Sequence, residues 1–268
     1  MNKKLPLLSL LGLGFVIGLN VYFRSFPVSF PQLAAQARNN VELQARQRSA
    51  ELVDKNFPDM SPMAKETLAE MSFQEYYKSK QDKVRADTIE QYSRLKDRYQ
   101  DKEGRTYLFE LDCWHWARYV ENTVKTGHPG DTVVNGKQYD LLMNYPAGAN
   151  VSYNQFLFYV VAFLYKSLSL FVSVPLYSFL FYFPLFLSVV FISVLYLICK
   201  RFYGPAAAVI SSLFVGLAPI FLPRSCAGWF DMDILNLLFP LLAVFSYLMA
   251  YNRSTASKKA LWVAASAI

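Results

Sequence analysis

The stretch Arg224-Ser-Cys-Ala-Gly-Trp-Phe-Asp-Met-Asp-Ile-Leu-Asn-Leu-Leu-Phe-Pro240 places two carboxylates, Asp231 and Asp233, directly before an apolar run that starts at Ile234. They are the only acidic residues from Ser167 to the C-terminus. A carboxylate at the centre of a membrane helix costs about 2.5 to 3.5 kcal/mol, so acids next to membrane segments are rare and usually functional. This stretch is therefore the candidate centre of function.

The charge distribution indicates a membrane protein that carries a large polar loop. Residues 24–150 hold 18 basic and 18 acidic side chains, whereas the remainder holds 9 basic and 2 acidic ones, which gives the net charge of +7. The positive surplus thus flanks apolar runs, as it does in membrane proteins. The sequence has no Lys/Arg stripe interleaved with aromatic residues, and we set nucleic acid aside as a partner.

The cysteines and histidines favour neither a disulfide framework nor a zinc site. The three cysteines are Cys113, Cys199 and Cys226, and none forms a CxxC pair. The two histidines, His115 and His128, are too few for a histidine-based metal centre. The sequence contains no P-loop, no GxSxG elbow and no GxGxxG turn.

The N-terminal 23 residues are predicted to form the first transmembrane helix. The uncharged run from Leu5 to Phe23 follows Lys3 and Lys4 and is long enough to cross a hydrocarbon core of about 30 Å. A cleaved signal peptide is the alternative, but the small-residue site at 35–37 lies too far beyond the apolar core. Both interpretations put the following loop outside the cytoplasm.

The loop over residues 24–152 is predicted to contain a helical insertion at 31–103 and a first acidic motif. Two Ala-, Gln-, Glu- and Lys-rich segments, 31–56 and 73–100, have helical composition, and the second has apolar residues at mostly three- to five-residue steps. The insertion is either a solvated helical hairpin packed on its own apolar seam or a docking surface.

The first acidic motif is Glu110-Leu-Asp112, which aromatic residues surround. Taken alone, such a pair indicates acids at the N-terminus of a helix. Two turn signals follow it, at residues 127–130 and 144–148.

Charge parity predicts the membrane topology of the second half. The apolar runs give spans at about 174–199, 204–222 and 234–251, with a truncated one at 260–268. When Lys200-Arg201 and the basic residues after 251 are cytoplasmic, Asp231 and Asp112 face the same outer side. Residues 153–173 must then form an interfacial or re-entrant helix.

The spacing of Asp231 and Asp233 fits an extended turn that runs into a helix N-terminus, where both carboxylates can converge. Carboxylates without His or Cys suit a hard divalent ion such as Mg²⁺ or Mn²⁺, and Asp112 could complete the site. Alternatively, Asp233 only caps the helix. Arg224 suits a phosphate or a carboxylate partner.

The stretch Arg224 to Asn236 resembles the second acidic motif of the catalytic subunit of oligosaccharyltransferase, of the bacterial and archaeal single-subunit type. Glu110-Leu-Asp112 is similar to the first acidic motif of that family, and residues 144–148 and 156–165 resemble the sequence that follows it. The likeness covers residues 105–251 and leaves out the insertion. It implies an all-α polytopic fold of the glycosyltransferase class C type.

The implied activity is metal-dependent transfer of a glycan from a lipid-linked polyprenyl-pyrophosphate donor to Asn in Asn-x-Ser/Thr of acceptor polypeptides. By the resemblance, Asp112 and Asp231 would hold Mn²⁺ or Mg²⁺ and Asp233 would support the metal or the acceptor. Arg224 would contact the pyrophosphate or brace the acidic loop, with Glu110 and Trp229 also expected at the substrate. The implied location is the plasma membrane of a bacterium or archaeon, in contact with membrane lipids and with the active-site loops outside.

The family pattern also includes a glutamate in a later outer loop and a C-terminal domain with a WWDYG-like motif, and this sequence contains neither. We therefore expect a fragment of a larger gene product that is inactive alone. Three alternatives stay open: another class C glycosyltransferase that uses a polyprenyl-phosphate sugar, a membrane cation transporter, and a membrane-anchored interaction protein.

Overall fold

The structure is a computed structural model that describes residues 4–151, 155–251, 260 and 262–264, with side chains from residue 8. It divides into two compact units. The insertion unit is Ser29–Arg105, and the motif unit combines Met1–Val28 with Thr106–Ile268. Helices form most of both units, which confirms the predicted fold class.

The insertion unit is a set of three helices, α3 (Pro31–Asn56), α4 (Pro62–Ser79) and α5 (Gln81–Lys96), followed by a 3₁₀ turn at Asp97–Tyr99. Helix α3 packs against both of the others. Its buried residues recur at every fourth position and are mostly small: Ala37, Val41, Ala45, Ser49 and Val53. This spacing keeps one face of the helix toward its neighbours.

The predicted helical segment 73–100 is in fact parts of two helices. Helix α4 starts earlier, where Ser61 accepts a hydrogen bond from the backbone N–H of Ala64 and Pro62 fills the first helical position. The break comes at Lys80, so the apolar pattern read across it mixes two helix faces. Val84 is accordingly buried, whereas Ile89 is exposed.

The motif unit contains the remaining helices. They are α1 (Lys4–Arg24), α6 (Leu111–Thr126), α7 (Phe156–Ser169), α8 (Leu176–Tyr203), α9 (Pro205–Gly216) and α10 (Asp233–Tyr251), with the single turn α2 (Phe26–Ser29) after α1 and a 3₁₀ turn at Pro223–Ser225. By length and composition, α8 and α10 can cross a membrane, and α1 joins them if it is counted with the helix that follows it.

Helix α9 is shorter than the span predicted at 204–222. It has 12 residues, which at about 1.5 Å per residue is well below the ~30 Å of a hydrocarbon core. The chain continues from Leu217 to Leu222 as turns. Residues 252–259, which hold the basic cluster used in the parity argument, and most of the truncated span at 260–268 lie outside the described residues.

Contacts along α1 fix the direction of α8. The hydroxyl of Tyr196, late in α8, donates to the backbone oxygen of Ser9 at 2.8 Å. Early in α8, the carbonyl oxygen of Phe181 accepts from Gly228 N at 2.7 Å, and the next contact along that loop, Ala227 N to Arg24 O, is 3.0 Å. Helix α8 is therefore antiparallel to α1, and the second acidic motif lies at the C-terminal end of α1.

A three-stranded antiparallel sheet follows α6 and was not predicted. Its strands are β1 (Thr132–Val134), β2 (Lys137–Asp140) and β3 (Ala149–Asn150), in the order β1-β2-β3. Asn135 and Gly136 both have positive φ, as a two-residue type I′ hairpin turn requires.

Candidate functional site

The first acidic motif stands at the N-terminus of α6. Glu110 is the residue before the helix and Asp112 lies in its first turn, and both are exposed. One face of the helix is buried through Cys113, Ala117 and Val120, at steps of four and three residues. The predicted position of the acids at a helix start is thus what the structure has.

The second acidic motif is a loop that ends at the N-terminus of α10. Asp233 begins α10 and Asp231 lies two residues before it, with both side chains partly buried. Gly228 has φ of +88°, and a methyl group there would lie 2.8 Å from the ring of Phe181 and 3.0 Å from that of Phe109. Only glycine suits this position, because the backbone is left-handed and two rings close on it.

The structure brings the two motifs together, although 120 residues separate them in the sequence. The indole N–H of Trp116 donates to Asp231 Oδ1 at 3.1 Å. The backbone N–H of Phe109, just before the first motif, donates to the carbonyl of Gly228 at 3.2 Å. One side-chain bond and one backbone bond therefore join α6 to the loop of the second motif.

The pKa of the Asp231 carboxyl is raised above its ordinary value, first by burial and then by the negative charges of Asp233 and Asp112. Hydrogen bonds from Trp116 and from the backbone N–H of Met232 oppose the rise. The carboxylate of Asp231 is therefore destabilised by its surroundings, which is a situation that a cation would improve.

Arg224 pairs with Asp233. Its Nη1 lies 3.1 Å from Asp233 Oδ2, and more than half of its side chain is exposed. The guanidinium also lies 5.7 Å from the centre of the Trp229 ring. Arg224 thus has the carboxylate partner that the sequence allowed, and Asp233 differs from Asp231 in having its charge balanced.

The indole nitrogen of Trp229 is buried, and no hydrogen-bond partner for it exists among the described residues. Its ring contacts the core of the motif unit and is partly buried. In this conformation the Trp229 ring is therefore not an exposed surface on which a substrate could stack, and its role at the substrate stays a prediction.

The three predicted metal ligands do not form a complete coordination set. Within the described part of the chain, no three His, Cys, Asp or Glu side chains are placed so that they could hold one metal ion together. The described residues therefore offer at most a partial metal site, in which Asp112 and Asp233 act on Asp231 through their charges.

Sequence reasoning missed a polar network that fixes α6 on the small sheet. Arg118 bridges Asp131, in a bidentate contact, and Asp140, whose Oδ2 lies 2.6 Å from its Nη2. Asp140 is fully buried and also accepts from the hydroxyl of Tyr119 at 2.7 Å. Its backbone donors are Leu142 and Met143. The network begins at Arg118, two residues after Trp116, and so holds the helix that carries Asp112.

Residues 84–268 match the family described as Oligosaccharyl transferase STT3, N-terminal. The chain is similar to the dolichyl-phosphooligosaccharide-protein glycotransferase of Methanococcus voltae, with 32% identity over 60% of this chain and 18% of that protein. It is also similar to the protein of that name from Methanocaldococcus jannaschii, with 29% identity over 58% of this chain and 17% of that one.

Among solved structures, one similar chain is the oligosaccharyltransferase of Archaeoglobus fulgidus, crystallised in complex with Zn and sulfate. The TM-score is 0.49 and the identity is 26%, over 59% of this chain and 20% of that chain. The chain spans about a fifth of the length of the curated relatives it matches.

Proposed function

The chain belongs to the oligosaccharyl transferase STT3 N-terminal family, and on this basis we propose that it is the N-terminal membrane part of an oligosaccharyltransferase. The proposed reaction moves a glycan from a lipid-linked polyprenyl-pyrophosphate donor to the side-chain amide of Asn in Asn-x-Ser/Thr of an acceptor polypeptide. The curated relatives, named as glycotransferases that use a dolichyl-phosphooligosaccharide, support this proposal.

The observation that carries the proposal is the hydrogen bond between Trp116 and Asp231. It joins the helix of the first acidic motif to the loop of the second, which supports a site shared by Asp112 and Asp231. Neither motif alone indicates a reaction, whereas two sets of acids converging beside membrane helices are a costly arrangement that function explains.

A hard divalent cation fits Asp112 and Asp231. Asp231 is partly buried, and the charges of Asp233 and Asp112 act on it unfavourably, so that a cation would offset their repulsion. Mg²⁺ in particular is usually held by one or two carboxylates and completed by substrate phosphates, so two protein ligands suffice. When bound, Mg²⁺ or Mn²⁺ would offset charge on the departing pyrophosphate.

The remaining residues orient these ligands and the donor. Trp116 and the backbone N–H of Met232 both donate to Asp231 Oδ1, which fixes the direction of the carboxylate. Arg224 holds Asp233 and, because it is exposed, can also bind a pyrophosphate oxygen. Glu110 interacts electrostatically with Arg224 and would set its position against the donor.

The proposed setting is the plasma membrane of a bacterium or archaeon. Helices α8 and α10 supply the apolar surface for membrane lipids. Both acidic motifs lie at the C-terminal end of α1, the end opposite Lys4, and the positive-inside rule then puts them on the extracytoplasmic side.

The test is glycan transfer by the gene product in membranes, with an Asn-x-Thr peptide and added Mn²⁺ or Mg²⁺. Asp112→Ala and Asp231→Ala should each abolish transfer, and the double variant should be scarcely slower than either single one, because residues that act as a unit are not additive. Asp233→Ala should cost less, about 10- to 100-fold, since Asp233 supports the site through Arg224.

Glu121→Ala is the control for loss of a carboxylate on α6 that belongs neither to an acidic motif nor to the Arg118 network. It should lower thermal stability, because the Tyr177 hydroxyl loses its acceptor, and should retain transfer at permissive temperature. Near-normal, metal-dependent transfer by folded Asp231→Ala would overturn the assignment.

A further inference from the structure

We propose that Arg24, at the C-terminal end of α1, is a positioning residue that sets the loop of the second acidic motif. This inference rests on the proposed function, because the loop matters for transfer only if Asp231 does. The conformation of the loop can be measured without any transfer reaction, and the test below uses that independence.

Arg24 is fully buried, and no carboxylate pairs with it in the part of the chain that the structure describes. Its guanidinium instead donates to three neutral oxygens: Ser225 Oγ at 2.9 Å from Nε, Asn20 Oδ1 at 2.6 Å from Nη1 and the carbonyl of Gly216 at 2.8 Å from Nη2. Burying a charge without a counter-ion is costly, so its hydrogen bonds must be well made for the residue to be tolerated.

The three partners lie on both sides of the turns that lead to Asp231. Gly216 ends α9 and Ser225 ends the 3₁₀ turn, so one guanidinium ties both ends of the intervening turns to α1. The hydroxyl of Ser225 in turn donates a hydrogen bond to the carbonyl oxygen of Phe221, at 2.6 Å. The ring of Phe221 in turn stacks 5.0 Å from the guanidinium.

The backbone of Arg24 holds the same loop. Its carbonyl oxygen accepts from Ala227 N at 3.0 Å, one residue before the glycine that meets Phe109 and Phe181. The side chain and the backbone of Arg24 together bind this segment at Gly216, Ser225 and Ala227, and Ala227 lies four residues before Asp231. The C-terminal end of α1 thus sets the position of the loop that carries Asp231.

Helix α9 packs closely against α1 at this contact. A methyl group on Gly216 would lie 2.3 Å from Asn20 Oδ1 and 2.8 Å from Ile192 Cδ1, so α9 touches α1 at the pair of side chains Asn20 and Arg24. Asn20 Nδ2 is itself fixed by the carbonyl of Val16 at 2.8 Å. The side-chain amide of Asn20 therefore orients Arg24, and Gly216 lies in close contact with both side chains.

Lysine cannot replace arginine here. The three N–H donors of the guanidinium lie in one plane and point in three directions, toward the three oxygen acceptors. The ammonium of a lysine is a single point charge that cannot reach all three acceptors together. Arg24→Lys keeps the charge and loses the fork, and each lost bond to a charged group is worth about a 10- to 100-fold change in an equilibrium. The loop should then open more often without unfolding of the unit.

The native Cys226 reports this opening, because it lies in the gripped loop with a side chain that is almost wholly buried. We would measure N-ethylmaleimide alkylation of Cys226 in membranes, with Cys113 and Cys199 replaced by Ala. Arg24→Lys should speed alkylation at least about 10-fold. Arg201→Lys, an exposed arginine on α8, is the matched control and should change nothing.

Two further variants separate local positioning from folding. Ser225→Ala removes one oxygen acceptor and Gly216→Ala inserts a methyl group against Asn20, and both should expose Cys226 as well. A cysteine at Ala162, buried in α7, should stay protected throughout in a background without native cysteines. Protected Cys226 in Arg24→Lys and Ser225→Ala would overturn the inference, as would equal opening at position 162 in both.

The link to transfer is tested on the same variants. Arg24→Lys should lower the transfer rate about as strongly as it exposes Cys226, with a shift to higher Mn²⁺ demand. If Arg24→Lys exposes Cys226 but leaves the transfer rate unchanged, then the contact does not position the loop for transfer. Loop opening in a protein whose Asp231→Ala variant transfers normally would instead leave the contact standing and refute the proposed function.

Discussion

At the scale of single residues, the two aspartates of the second motif have different environments despite their shared motif. Asp231 is held by Trp116 and lacks a basic partner among the described residues, whereas Asp233 is paired with Arg224 at 3.1 Å. The sequence predicted that acids from both motifs matter, because such residues are rare beside apolar runs. It could not predict Trp116, since nothing in an aromatic-rich segment singles out the one indole that reaches the loop.

Asp140 gives a residue-scale prediction on pH. Burial alone would raise its pKa, and the hydrogen bonds from Arg118, Tyr119 and two backbone N–H groups outweigh burial and hold the pKa below the ordinary value. A carboxyl with a depressed folded pKa adds stability that is present above the unfolded pKa of about 4 and is lost as pH falls toward the folded one.

The expected result is that Asp140→Asn lowers the free energy of unfolding by about 3 kcal/mol at neutral pH, because an amide nitrogen would face the donors that now surround the carboxylate. The variant should also show a smaller loss of melting temperature between pH 5 and pH 3 than the parent. Asp59→Asn, on the exposed loop after α3, is the control and should behave as the parent does. Equal pH slopes in all three proteins would contradict the prediction; thermal melts in detergent measure them.

At the scale of elements, the sequence predicted long apolar helices better than short turns. Helix α8 and helix α10 begin within about two residues of the predicted starts, because charge and apolar runs define them. The boundary between α4 and α5 carries no proline or glycine, so no local signal marked it. The hairpin at Asn135-Gly136 did have a local signal, which is an Asn-Gly pair that directly follows β-branched residues.

The small residues on the buried face of α3 lead to a prediction for that element. Ala37 is fully buried, whereas Ala35 on the same helix is exposed. Ala37→Leu should destabilise the insertion unit by about 1 to 3 kcal/mol through overpacking, and Ala35→Leu should change its stability little. Thermal unfolding of residues 29–105, followed by circular dichroism, measures both; equal melting temperatures would show that α3 does not pack through this face.

At the scale of the whole chain, the family match narrows the four functional interpretations that the sequence left open. It disfavours the cation transporter and the pure interaction protein, since residues 84–268 match a glycan-transfer family. The end of α9 at Gly216 did have a sequence signal, because Pro219 follows three residues later and helices usually end before a proline; the apolar run across it led to the longer predicted span. The close approach of Gly216 to Asn20 is a tertiary contact, which the sequence does not indicate.

The last prediction concerns membrane topology and turns on α9. Its 12 residues are too short to cross by themselves, so a crossing needs the turns from Leu217 to Leu222, and irregular backbone is tolerated at that depth only when protein covers it. Contacts with α1 cover part of this segment: Val209 lies beside Gly12, Gly216 beside Asn20 and the buried Phe221 ring under Arg24, so α9 runs along α1 toward the acidic motifs.

Single cysteines at Leu142 and Ile220, which are both well exposed, should therefore be labelled from outside by an impermeant maleimide. A cysteine at Tyr203, at the exposed junction of α8 and α9, should react only after permeabilisation. Labelling of 203 and 220 from the same side would mean that α9 and its turns form a re-entrant segment, and the acidic motifs would then share a side with Lys200 and Arg201.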